Sequence, residues 1–134
     1  MNKFSEKSEK ELSTCHPELQ RLFRKVNEII PCSILEGHRN EERQNLLFTQ
    51  RKTKLKFPNG NHNKLPSAAL DAAPNPIDFT NQAKAIARFY YFAGIVKAVA
   101  AQLGIKIRSG CDWDGDMMFD DQTFDDLGHF ELAD

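Results

Sequence analysis

Cysteine is scarce in this chain of 134 residues: Cys15, Cys32 and Cys111 are an odd number, and no two stand in a C-x-x-C spacing. That excludes a disulfide framework and a cysteine zinc knuckle, and leaves three reduced thiols of a cytosolic product. Long apolar runs are missing as well. The start, Met1-Asn2-Lys3-Phe4-Ser5-Glu6-Lys7, is polar and leads into no hydrophobic segment, so neither a signal peptide nor membrane insertion is expected. Nor does one sign of charge dominate. The 18 basic and 19 acidic residues leave a formal net charge of -1, which offers no field to steer nucleic acid or anionic membrane toward the protein. Internal repeats and low-complexity tracts are absent, and the length fits one domain, residues 1–134, whose core needs no disulfide.

What charge there is divides unevenly. Most Lys and Arg lie in the first half, whereas the last quarter from Asp112 onward is crowded with Asp, which points to a local cation site. Leu12, Leu19, Leu22, Phe23, Val26, Ile29 and Ile30 recur at spacings of three, four and seven and mark one apolar helical face. His16-Pro17 starts that helix and Pro31 stops it, and the polar segment ahead of it has room for a short separate turn. Ser33 to Gly37 reads as a strand. Asn40 then caps a helix through Phe48 with Glu41 and Glu42 in its first turn, so Arg39 projects from a strand-to-helix turn. From Thr49 to Asn63 the chain is first basic, then rich in Pro, Gly and Asn, and a loop of that length in a small domain is more often functional than idle.

Ala68 to Ala73 is a strand of small residues. A long helix follows from Asp78 or Thr80 to Gly104, its C-cap; Ala83, Ile86, Phe89, Tyr90, Ala93, Val96, Val99, Ala100 and Leu103 keep helical spacing. Phe92, Ile95 and Ala98 fill its other faces, so it is expected to be the buried central helix, with the aromatic string Phe89 to Phe92 in the core. Ile105 to Arg108 and Gly128 to Leu132 alternate as strands. The expected fold class is α+β: about three helices packed on a small, mostly antiparallel sheet that carries a zinc site.

Of the four histidines, His16 and His38 read as surface or helix-end residues. His62 stands in a turn-rich loop ahead of Asp71 in a strand, and His129 opens the last alternating segment between acids. Together His62, Asp71 and His129 form an N, O, N donor set suited to one catalytic Zn²⁺, since three protein ligands leave a position for water. A second cation is conceivable at Asp112, Asp114, Asp116 and Asp120, where alternate carboxylates resemble the opening of a Ca²⁺ loop. The glycine and closing glutamate of a full EF-hand are absent, so a solvated acidic loop stands as the other reading.

The order Gly37-His38-Arg39, Gln44, His62-Asn63 through Pro66-Ser67 to Ala69-Leu70-Asp71, and Asp126-Leu127-Gly128-His129-Phe130-Glu131-Leu132 resembles the VanY-like D-Ala-D-Ala carboxypeptidase family of zinc peptidases. It is most similar to the branch of phage endolysins that act as L-alanyl-D-glutamate peptidases, over nearly the whole chain from Ser8 to Leu132. The resemblance implies that His62, Asp71 and His129 bind zinc. It implies that Asp126, the acid of an acid-x-x-His motif, takes a proton from the zinc-bound water and later protonates the leaving amine. Arg39, from a Gly-x-Arg motif, is implied to face the scissile carbonyl and steady the oxyanion. Two departures stand out: the segment between His62 and Asp71 is longer than in the commonest pattern, and Asp125 is an alternative base. Gln44 and Glu131 are expected near the ligands or the substrate, with Glu131 either accepting from a ligand histidine or facing outward from its strand.

The function so implied is hydrolysis of stem peptides in bacterial peptidoglycan, first of all at the L-Ala–D-Glu bond, in phage or prophage lysis. A D,D-carboxypeptidase of the same family and a non-catalytic, zinc-stabilised peptidoglycan-binding domain are the alternatives. Lys52, Lys54 and Lys56 either meet the anionic cell wall or form a solvated basic loop. The expected protein is a monomer, made in the host bacterial cytoplasm and acting on the wall after release.

Overall fold

Pro17 opens helix α2 (Pro17–Ile29), and the His16 side chain caps it by accepting from the Glu18 N–H at 3.1 Å. Leu19, Leu22, Phe23 and Val26 are fully buried on its inner face, while Ile29, read as part of that face, is exposed at the helix end. The computed structural model describes residues 2–122 and 125–133. The polar segment ahead of α2 is a full helix, α1 (Glu6–Ser13), capped by Ser5, whose hydroxyl accepts from the Ser8 N–H. The described residues thus form four α-helices, where about three and a short separate turn were expected. Local capping chemistry made the extra one, since α1 has only two buried residues, Ser8 and Leu12, to announce it by periodicity.

Strand β1 (Cys32–Glu36) leads through Arg39 to α3 (Glu41–Thr49), where Asn40 accepts from the Arg43 N–H as expected of an N-cap. A 3-10 turn, Asn61–Asn63, precedes β2 (Ala69–Pro74). Helix α4 (Ala83–Leu103) begins later than the sequence suggested, because Asp78 accepts from the Thr80 N–H and closes a local turn instead. It ends at Gly104, whose φ of 72° is the left-handed cap that glycine adopts freely. One stripe of α4, including Phe89, Phe92, Ala93, Val96, Val99 and Ala100, is buried, whereas Tyr91 is exposed, so the helix lies against the core rather than through it. Ile105 completes the helix cap by bonding to the Ala100 carbonyl, and that shifts β3 to Ile107–Ser109.

The last strand, β4 (His129–Leu132), inserts between β2 and β3 to give an antiparallel sheet of order β1-β2-β4-β3. Phe130 anchors it. Its ring meets Phe23 of α2 at 5.5 Å and Phe92 of α4 at 5.9 Å, both edge-on, and burying each such side chain contributes about 1.5–3 kcal/mol. The register then decides chemistry. Asp71 stands opposite His129 on one side and opposite Glu36 on the other, after a β-bulge between Ile34 and Glu36. Directly paired residues share a sheet face, so three polar side chains from three strands form one row.

Candidate active site

His129 belongs to this row, and His62 joins it from the 3-10 turn. The Nδ1 of His62 lies 2.7 Å from the Gly37 carbonyl, an atom that only accepts, so Nδ1 carries the proton and Nε2 keeps its lone pair. Gly37 itself is held against the end of α1, where a Cβ would run into Thr14 Oγ1 and the Glu11 carbonyl. His129 is fixed in the mirror sense. Its Nε2 is 2.7 Å from Glu131 Oε1, which turns Nδ1 inward. His62 Nε2 and His129 Nδ1 lie 3.5 and 3.4 Å from the same oxygen, Asp71 Oδ1.

These are ion-pair distances rather than hydrogen bonds, and both His62 Nε2 and Asp71 Oδ1 are buried without a hydrogen-bond partner among the described residues. Two imidazole nitrogens and a carboxylate oxygen, all within 4.8 Å of one another, present lone pairs to a common point. Orphaned acceptors are costly in a folded interior, and a bound cation removes the cost. The residues thus fit a divalent metal ion. Without one, a proton substitutes: burial alone would lower His129, but the Asp71 and Glu131 carboxylates outweigh it and push its pKa up to about 9. Asp71 is held well below the usual carboxylate range, its burial overcome by the two histidines.

Arg39 grips the far side of Asp71. Its guanidinium donates to Asp71 Oδ2 at 3.1 Å and to Glu36 Oε1 at 2.7 Å, and Glu36 also accepts from Arg43 at 2.8 Å. Gln44 is fully buried and bridges two segments, donating to the Leu55 carbonyl at 2.6 Å and accepting from Asn63 at 3.1 Å. It therefore ties the loop after α3 to the turn that carries His62. Glu131 takes the inward of its two readings, since Oε1 meets His129 and Oε2 accepts from Asn61 at 3.0 Å. Asp126 hangs beside the triangle with Oδ2 4.0 Å from His129 Nδ1; partial burial raises its pKa, and the Asp71 charge raises it further. Its N–H donates to the Gly110 carbonyl at 3.0 Å, and a Cβ at Gly110 would run into the Asp126 carbonyl. Asp125 instead faces outward and accepts from Gln122 at 2.7 Å. A cavity of about 240 Å³ opens over the triangle, with His62, His129, Arg39 and Asp126 in its lining.

The profile of the family described as phage L-alanyl-D-glutamate peptidase matches residues 1–133. The chain belongs to that family. It is 30% identical over 140 residues to the L-alanyl-D-glutamate peptidase of Escherichia phage T5, covering 98% of each chain. Its fold is similar to the crystal structure of the Serratia marcescens L-Ala D-Glu endopeptidase ChiX, with a TM-score of 0.71, 25% identity, and coverage of 97% of this chain and 89% of that one.

In this member of the phage peptidase family the acidic loop gathers Asp112, Asp114 and Asp116, which offer oxygens within 4.8 Å of one another, while Asp120 is not part of that group. Asp112 is buried; Oδ2 accepts from the Met117 N–H at 2.9 Å and Oδ1 has no hydrogen-bond partner among the described residues. Asp121 is pushed up to about 6, chiefly by its hydrogen bond with Asp116. His38 lies outside the triangle, its N–H bonded to Thr14 Oγ1 at 2.9 Å. Sequence reasoning missed four contributors: Glu36, Asn61, the Gly37 carbonyl and Trp113, whose ring is 5.4 Å from that of His129 in the cavity wall. Only the pairing of strands reveals Glu36, and a carbonyl has no signature in sequence at all.

Proposed function

We propose that this chain is a zinc peptidase that hydrolyses the L-Ala–D-Glu bond of peptidoglycan stem peptides. One observation carries the reading: His62 Nε2 and Asp71 Oδ1, buried without a hydrogen-bond partner among the described residues, converge with His129 Nδ1 at a cavity, with the carboxylate of Asp126 beside them. Two imidazoles with one carboxylate suit zinc better than calcium or magnesium, which prefer all-oxygen sites. When bound, zinc would supply Lewis acidity and a water acidified to a pKa of about 7.

The residues around it divide the remaining work. Asp126 accepts the proton of the attacking water and returns it to the leaving amine; its burial and the Asp71 charge raise its pKa and so favour its holding that proton between the two transfers. Arg39 holds Asp71 Oδ2 so that Oδ1 faces the histidines, and its charge lines the cavity where the carbonyl oxygen becomes negative. Glu131 orients His129, while Gln44 and Asn63 brace the turn bearing His62. A site that only stapled the fold would need no such base beside an open cavity.

The names of the phage T5 and Serratia relatives support the bond assigned. Residues 1–134 would form a single monomeric domain that reaches the wall after its release from the host cytoplasm. At Asp112, Asp114 and Asp116 we propose a second cation, Ca²⁺, because the buried Asp112 Oδ1 has no hydrogen-bond partner among the described residues and the three carboxylates offer hard oxygens. Digestion of purified peptidoglycan tests the principal reading. Mass spectrometry should find new D-Glu amino termini; release of free D-Ala alone would make the protein a D,D-carboxypeptidase instead.

A further inference from the structure

The cleft is acidic where the chemistry happens. Asp126 and Glu131 line the cavity beside the His62, Asp71 and His129 triangle. The nearby arginines are committed elsewhere: Arg39 to Asp71 and Glu36, Arg43 to Glu36, and Arg108 lies 3.7 Å from Glu131. A carboxylate that binds in this cavity away from the triangle and Arg39 would meet Asp126 and Glu131 unless another cation faces it.

Lys52 and Lys54 are that cation pair. Both line the cavity, both are exposed, and neither forms an ion pair among the described residues. Their neighbour Lys56 differs, with its ammonium 4.9 Å above the Phe48 ring and outside the lining. The loop holding them is fixed at several points. The Lys52 N–H bonds to the Leu47 carbonyl at 2.9 Å, the buried Gln44 holds the Leu55 carbonyl, and the Phe57 N–H bonds to Asn45 at 3.2 Å. A basic stretch pinned to a catalytic cleft is more than a solvated loop.

The substrate offers a matching group. A glutamyl residue after the scissile bond keeps one carboxylate free whichever of its two carboxyl groups continues the chain. That carboxylate lies within a few bonds of the leaving nitrogen. We propose that Lys52 and Lys54 recognise this free carboxylate and so make the enzyme select an acidic residue on the leaving side of the bond. The inference rests on the peptidase reading above. The Gln44 bridge gives it a structural logic, since one side chain then sets both the His62 turn and the lysine wall.

The test compares kcat/KM on two soluble muropeptides, one with D-Glu after L-Ala and one with the corresponding carboxamide, at low salt. The parent should prefer the acid. Two partly exposed charge contacts together are worth about tenfold, so Lys52→Gln with Lys54→Gln should lower the acid-to-amide ratio by about that factor. The effect should shrink with added salt. Lys7→Gln with Lys10→Gln, on the exposed face of α1, serves as the charge-matched control and should leave the ratio at the parent value. A parent without preference, or a lysine variant that keeps the parent ratio, overturns the proposal. Because the substrates are soluble and short, a loss seen only on intact peptidoglycan assigns the lysines to wall adhesion and also overturns it. Failure of the parent to cut either muropeptide or whole peptidoglycan would instead remove the peptidase reading beneath.

Discussion

Replacing Glu131 by glutamine should weaken zinc binding without touching a ligand. Glu131 Oε1 accepts from His129 Nε2 at 2.7 Å, and both side chains are nearly buried, at 12% and 10% exposure, so solvent screens the contact little. A hydrogen bond to a charged group contributes about 1.5–3 kcal/mol. Glutamine keeps a carbonyl acceptor and loses the charge, so the lower half of that range applies: about tenfold to thirtyfold in zinc affinity, in line with the effect of such supporting carboxylates elsewhere. The size should also depend on pH. The carboxylate favours a proton on His129 as well as a metal ion, and with the His129 pKa up at about 9 the two compete across the neutral range. Where zinc must displace that proton the two effects partly cancel, so the deficit should be larger at pH 8.5 than at pH 6.5. Competition against a chromophoric chelator measures both, with circular dichroism to check the fold. Arg108→Gln is the control, since its 3.7 Å contact with Glu131 is half-exposed and worth less than about 1 kcal/mol. A Glu131→Gln protein that binds zinc within twofold of the parent at pH 8.5 would reduce Glu131 to a strand residue and refute the reasoning.

Asp126→Asn should lower kcat by about 10²–10⁴-fold with zinc content unchanged, while Asp125→Asn stays near the parent; elemental analysis beside a muropeptide assay checks both, and the reverse result moves the base by one residue. In chelated protein, His129 has a folded pKa above its unfolded value, so its contribution to stability is full below about pH 6.5 and is lost as pH rises through about 9. Melting temperature without metal should therefore fall between pH 6.5 and 9.5, whereas zinc-loaded protein, with the proton displaced, should not show that fall. Calcium added to zinc-loaded protein should raise the melting temperature, and Asp114→Asn with Asp116→Asn should abolish the rise, because the buried Asp112 Oδ1 then loses its companion ligands.

The helices were legible wherever capping and periodicity agree. Asn40, His16-Pro17 and Gly104 each stand at a helix boundary because their chemistry satisfies orphan backbone groups locally, whatever the rest of the chain does. The errors occurred where a local turn competed with the helix pattern. Thr80 would extend α4 toward its amino end, but the Asp78 side chain offers its N–H a nearer acceptor. Tyr91 reads as apolar and lies exposed, since an aromatic ring beside a full stripe has no remaining core to enter.

The site is a different case, because its parts are separated in sequence and joined only by register. His62, Asp71 and His129 came into view as residue types and through resemblance, yet nothing in their spacing says that β4 inserts beside β2. Once it does, Asp71 must face His129, and a shift of one residue would turn His129 to the opposite sheet face. Phe130 opposes that shift. It is fully buried between Phe23 and Phe92, so moving His129 out of the row would require moving a phenylalanine out of the core. Gly110 secures the same strand from its other edge, as its N–H bonds to the His129 carbonyl at 2.9 Å and its carbonyl accepts from the Asp126 N–H at 3.0 Å. Hydrophobic packing and a close backbone contact thereby hold His129 and Asp126, the proposed metal ligand and the proposed base, in one rigid unit. That is why the acid-x-x-His spacing carries chemical meaning here that the same four residues on a free loop would lack.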